Sequence, residues 1–186
     1  AELRENARVD SLVVRSGHAV GVRCGSQEVE ADWIIAANGG GSRLNLHPRP
    51  PALLVACMAR FEGIAFEPHV NEFFFDPALV PHYGWVFPES RYRASVGIIV
   101  SEAVARRLNA RRILEEFIDR RLARRLRGAE QVGPPKSHPI HTTARIVHDA
   151  APGVLLAGEA NRLVSGATGE GISYAMESGL LAARAV

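Results

Sequence analysis

The stretch Gly153-Val154-Leu155-Leu156-Ala157-Gly158-Glu159-Ala160, followed by Gly166-Ala167-Thr168-Gly169-Glu170-Gly171-Ile172, decides the architecture. Its first half is a short, continuously apolar run, the pattern of a strand buried in a parallel sheet. The strand delivers a glycine and then a carboxylate at its C-terminal end, where open α/β sheets hold their ligands. The glycines allow backbone to approach a flat or phosphorylated group. A helical pattern runs from Ile172 to the chain end, so free N–H groups and the positive end of a helix dipole would face the same place. A plain strand-loop-helix connection is the alternative, and the carboxylate at the strand tip among so many glycines weighs against it.

Working outward, Trp33-Ile34-Ile35-Ala36-Ala37 is a second continuously apolar run, expected as a strand buried on both faces. It ends in Asn38-Gly39-Gly40-Gly41-Ser42, a sharp turn or a close backbone approach. Upstream, the runs around Leu12–Val14 and Val20–Cys24 flank Gly17-His18 as a hairpin, and a turn at Gly25-Ser26 leads to Glu28-Val29-Glu30. Residues 46–51 carry three prolines and read as a linker. Residues 52–100 read as an antiparallel sheet with strands at Leu53–Phe61, Val70–Phe75, Tyr83–Phe87 and Ala94–Val100. Residues 102–127 read as one helix with an apolar stripe at Leu114, Phe117, Ile118, Leu122 and Leu126, with Asn109 as a cap and Gly128 as its end. The proline-bearing segment 132–139 reads as a loop. The fold class is α/β (α+β): part of a Rossmann-like domain with an antiparallel sheet inserted. The expected domains are 1–47, 48–139 and 140–186, the first and last forming the Rossmann-like part.

Composition sets the outer bounds. The chain has 186 residues, 47% hydrophobic and 23% charged, which is ordinary for a globular domain. No apolar run reaches the roughly 20 residues that cross a bilayer, and no leader pattern opens the chain, so a cytoplasmic location is expected. The chain starts at Ala1 without Met and stops inside an apolar helical pattern at Val186, so both ends read as cut. Cys24 and Cys57 lie in apolar strands and read as buried, inert thiols. His138, His141 and His148 lack the partners of a metal site and read as exposed loop histidines. No metal is expected, and nothing signals a nucleic-acid fold. Segment 102–127 holds nine arginines against four acids. It reads first as a solvated face, and second as a basic surface for peripheral membrane contact.

Three segments carry a family resemblance. The run from Gly153 to Ala182, with Leu155–Ala160, Thr168–Ile172 and Tyr174–Gly179, resembles the C-terminal flavin motif of the geranylgeranyl reductase family, FAD-dependent oxidoreductases of the p-hydroxybenzoate hydroxylase-like fold. Trp33–Ser42 resembles the family's strand and Asp-Gly motif. Tyr83-Gly84-Trp85-Val86-Phe87-Pro88 resembles the Tyr-x-Trp-x-Phe-Pro signature of its substrate domain, with Gly97 in the expected place.

The resemblance implies FAD and the reduction of an unsaturated isoprenoid lipid. It places Asn38, Gly39, Gly158, Glu159, Thr168, Gly169, Glu170, Gly171 and Ile172 at the cofactor. Glu159 would bond the ribityl chain, and backbone N–H groups near Gly169–Ile172 would meet the pyrimidine edge. Tyr83, Trp85 and Phe87 would contact substrate. In an alternating strand these three share one face; pattern alone favours a core stripe, and the resemblance favours a substrate wall. No catalytic residue is singled out, and the electron donor stays open between NAD(P)H and ferredoxin. The chain departs from the family pattern at Glu159 for Asp, Asn38 for Asp and Ile99 for a second glycine. No Gly-x-Gly-x-x-Gly is present for the nucleotide half of FAD. A related flavin monooxygenase or halogenase, or a non-catalytic remnant, are the alternative readings.

Overall fold

The computed structural model describes residues 2–40, 54–142 and 151–186. In chain order the strands are β1 (Ser11–Arg15), β2 (His18–Cys24), β3 (Gln27–Glu30), β4 (Ile34–Ala36), β5 (Leu54–Glu62), β6 (Glu72–Phe74), β7 (Gly84–Ser90), β8 (Arg93–Ser101), β9 (Glu130–Ile140) and β10 (Val154–Leu156). The helices are α1 (Glu102–Leu108), α2 (Ala110–Phe117) and α3 (Ile172–Ala185). They form two compact units. Unit 1 comprises 1–51, 141–165 and 170–186; unit 2 comprises 52–140 and 166–169.

Unit 1 holds the antiparallel sheet β1-β2-β3 and the parallel pair β4 and β10. Ser16 and Gly17, at φ 52° and 80°, make the tight β1–β2 turn, the left-handed pair that matches strand twist in a two-residue hairpin. Ala19, Ile34, Ala36, Ala151 and Val154 form its small core. Among the described residues β4 is buried on one face, through Ile34 and Ala36. Ile35 remains 40% exposed, which corrects the expectation of burial on both faces. Cys24 is half-buried rather than buried.

Unit 2 is the five-stranded sheet β6-β7-β8-β5-β9. One of its faces is the core. Cys57, Val86, Val96, Ile98 and Val100 pack with Ile113, Leu114, Phe117 and Leu122, each large side chain contributing about 1.5–3 kcal/mol on burial. Phe117 lies directly on the backbone of Gly84, where a Cβ would collide with its ring. Cys57 is fully buried, and that burial raises its thiol pKa.

Two sequence expectations fail in this unit. The single helix over 102–127 is instead α1, α2, a π-helical turn at Ile118–Leu122 and turns to Gly128. Asn109 breaks it with φ 61°, while its side chain accepts from the Arg111 N–H and so caps α2. The basic segment is also less free than its composition suggests, because Arg106, Arg112, Arg120, Arg121 and Arg125 each pair with a carboxylate. The expected loop 132–139 is strand β9, paired antiparallel with β5. Its prolines are tolerated because β9 is an edge, where a missing N–H need not leave a gap in the ladder. Among the described residues no helix is long and apolar enough to cross a membrane.

Candidate functional site

The parallel register, Val154↔Ile34 and Leu156↔Ala36, brings the C-terminal tips of β4 and β10 side by side. After β4 comes Asn38-Gly39-Gly40; after β10 come Gly158 and Glu159. Gly158 holds φ +59°, and a Cβ there would lie 3.1 Å from Ala175 Cβ of α3. Its N–H donates to Ser178 Oγ at 2.9 Å. This close strand-to-helix approach turns the chain so that Glu159 stands at the strand tip.

Glu159 Oε1 accepts the His141 N–H at 3.2 Å and lies 3.6 Å from His141 Nδ1. The His141 side chain is only 12% exposed, and its Nδ1 has no hydrogen-bond partner among the described residues. Gly40 closes the group. A Cβ at that position would fall 2.5 Å from Glu159 Oε1 and 2.6 Å from His141 Nδ1, so any side chain there would push the carboxylate or the imidazole aside. Three chain segments thus converge on one carboxylate and one imidazole. Asn38 is exposed and Gly39 takes φ +72°; the contact with Glu159 comes from Gly40. His141 was expected as an exposed loop residue. The structure half-buries it, beside Glu159. His138 lies on β9 and is exposed, and His148 lies outside the described residues.

Around α3, Ser165 N–H donates to the Glu170 carbonyl at 2.8 Å, closing the base of the loop 166–169. Glu170 Oε1 and Oε2 accept from Ser173 N–H and Oγ at 2.8 and 2.9 Å, and these bonds lower its pKa. Glu170 therefore caps α3 itself and takes up a donor that sequence reading left free for a ligand. Gly171 packs on Val164, where a Cβ would come within 2.9 Å of Cγ2. Ile172 is 77% exposed.

Thr168 and Gly169 belong to unit 2. The Tyr83 hydroxyl donates to the Thr168 carbonyl at 2.5 Å, and burial raises the Tyr83 pKa. Gly169, at φ +70°, sits over Ile99 Cδ1, so the isoleucine that replaces a glycine fills the space beneath this loop.

The face of the unit 2 sheet opposite the core is aromatic. Phe73 packs edge-on against Tyr83 at 5.2 Å and Phe87 at 5.1 Å, and Trp85 stacks on Phe87 at 5.6 Å. Tyr83, Trp85 and Phe87 are half-buried, and Phe73 is 51% exposed. None of the four belongs to the buried core. Trp85 lies over Gly97, where a Cβ would strike its ring, and its Nε1–H donates to Ser95 Oγ at 3.1 Å. Strand register continues the row: Phe73↔Trp85, Trp85↔Gly97, Gly97↔Met58, Met58↔Lys136. The far end of this face carries the chain's only lysine. Sequence reading found the ring stripe but missed Phe73 and Lys136, because cross-strand register is not written locally.

Among the described residues no cluster of His, Cys, Asp and Glu could hold a metal ion. The unit 1 group does fit part of a flavin. It offers a carboxylate, an unpartnered buried nitrogen and a glycine backbone that leaves both uncovered, which suits a polyol chain.

Residues 54–132 match the geranylgeranyl reductase catalytic domain. Digeranylgeranylglycerophospholipid reductase 1 of Methanopyrus kandleri is 29% identical over 197 residues, covering 98% of this chain and 51% of the relative. A geranylgeranyl bacteriochlorophyll reductase-like protein from Thermoplasma acidophilum superposes with TM-score 0.74 at 25% identity, over 95% of this chain and 47% of that one. The myxobacterial chondrochloren halogenase CndH superposes with TM-score 0.74 at 24% identity, over 95% and 45%, which shows a shared fold. The chain spans about half the length of the curated relatives it matches.

Proposed function

The chain belongs to the geranylgeranyl reductase family, and from that premise we propose that it holds the flavin and lipid ends of an FAD-dependent oxidoreductase that reduces double bonds of an isoprenoid lipid. In this reading residues 1–47 and 140–186 hold the flavin half of FAD and 48–139 hold the substrate. The observation that carries it is the aromatic face of Phe73, Tyr83, Trp85 and Phe87, which lies outside the core. A sheet face of four packed rings needs an apolar occupant, and a hydrocarbon chain provides one.

The residues divide the work. Bound FAD would supply the reducing electrons. Glu159 and the Gly40 backbone would hold the ribityl chain, and Gly158, with α3 close behind, keeps that carboxylate at the strand tip. The rings would exclude water from the double bond and hold the hydrocarbon flat. Lys136, at the other end of the row, would meet an anionic head group. From the ladder spacing, three inter-strand steps separate Trp85 from Lys136, about 14 Å.

The test is single-turnover reduction. The protein is loaded with FAD, reduced with dithionite and mixed with a geranylgeranyl phospholipid. The expected product gains two hydrogens, with one double bond saturated for each reduced flavin oxidised, by mass spectrometry. Trp85→Ala raises the half-saturating lipid concentration on the order of tenfold, and Lys136→Ala raises it for the phospholipid but not for the neutral geranylgeranyl alcohol. Substrate-coupled oxygen consumption with no saturated product would instead make it a monooxygenase.

A further inference from the structure

We propose that His141 is a further cofactor-binding residue, and that its Nδ1 and the Glu159 carboxylate hold one hydroxyl of the flavin's ribityl chain between them. This rests on the FAD reading above. The two polar atoms are 3.6 Å apart, too far for a good direct hydrogen bond and close enough for one oxygen to reach both. The His141 main-chain N–H fixes Glu159 Oε1 at 3.2 Å, so the carboxylate and the imidazole are held as one piece. Nδ1 is buried with no partner among the described residues, and buried polar atoms left open mark a place where a partner belongs. Gly40 sits over both atoms, and any Cβ there would cover them.

The chemistry is complete with one hydroxyl. Imidazole protonated on Nδ1 donates to the hydroxyl oxygen, and the hydroxyl proton is donated to the carboxylate. No bond is made or broken. A hydrogen-bonding atom at the δ position is needed, which imidazole supplies and an apolar side chain of similar size does not.

The experiment measures flavin affinity by fluorescence quenching for the unsubstituted protein and three variants, at one pH. His141→Asn keeps a polar atom at the δ position, His141→Gln moves it one atom out, and His141→Leu removes it. Each is tested with FAD and with lumiflavin, which has the ring but no ribityl chain. The expected result is an FAD affinity lower on the order of tenfold for Leu and Gln and largely restored for Asn. Lumiflavin affinity should be equal in all four. Unchanged FAD affinity in His141→Leu overturns the inference, as does an equal loss of FAD and lumiflavin or a failure of Asn to restore. A protein that binds neither flavin before substitution overturns the cofactor reading itself.

Discussion

The Tyr83 hydroxyl donates to the Thr168 carbonyl at 2.5 Å, across 85 residues of sequence. With the packing of Gly169 over Ile99, it ties the glycine-bearing loop 166–169 to the aromatic end of the sheet. Loop 166–169, Tyr83 and Ile99 belong to the same unit.

Tyr83→Phe removes that bond and nothing else. A neutral hydrogen bond of this kind contributes about 1 kcal/mol, which lowers Tm by about 2–4 °C in a chain of this size. Limited proteolysis should also cut faster within 166–169. A variant with the parent's melting curve and cleavage rate would mean that this bond is not what holds the loop.

Gly84 and Gly97 lie on adjacent strands, and each carries a ring on its backbone, Phe117 and Trp85 respectively. Phe117 is fully buried and Trp85 is half-buried. Gly84→Ala should therefore destabilise more, by about 1–3 kcal/mol, because the core cannot give way. Gly97→Ala should cost less stability, since Trp85 can swing outward, and should raise KM for an apolar substrate. Urea titration and steady-state kinetics separate the two; equal destabilisation would contradict the two-faced sheet.

His82 is 6% exposed, its Nδ1 lacks a partner among the described residues, and burial lowers its pKa below the ordinary 6.5. A base whose folded pKa is depressed takes up its proton more readily when unfolded. Its contribution is constant above about pH 6.5 and is lost as pH falls from there toward the lower folded value. Tm should start to fall below about pH 6.5, and His82→Gln should remove that step. The Glu170 carboxyl is also depressed, and its contribution is lost only as pH falls below the ordinary carboxylate range, so the two windows separate. A parent protein with flat Tm between pH 7 and 5 would sink this prediction.

Legibility followed the range of the interactions. The β4 and β10 strands were readable because an apolar run is a local signal, and the ring stripe because alternation is. Strand β9 was not, since the prolines that argue for a loop are acceptable on an edge and edge position is a property of the whole sheet. Asn109 hides a helix break inside an unbroken apolar period, because its left-handed backbone leaves no mark on hydrophobic spacing. His141 read as an exposed loop residue because its partner, Glu159, is 18 residues on, and nothing local in the sequence links the two.

The edge strands have one more consequence. One edge of the five-stranded sheet is β9, with Pro134, Pro135 and Pro139; the other is β6, three residues long. Open backbone donors and acceptors on a sheet edge invite strand addition by a second chain, and prolines and brevity both withhold that invitation. A protein with a broad, ring-covered sheet face is at risk of polymerising edge to edge. Here the edges are blunted while the face stays open, so molecules that meet the sheet must do so through its side chains.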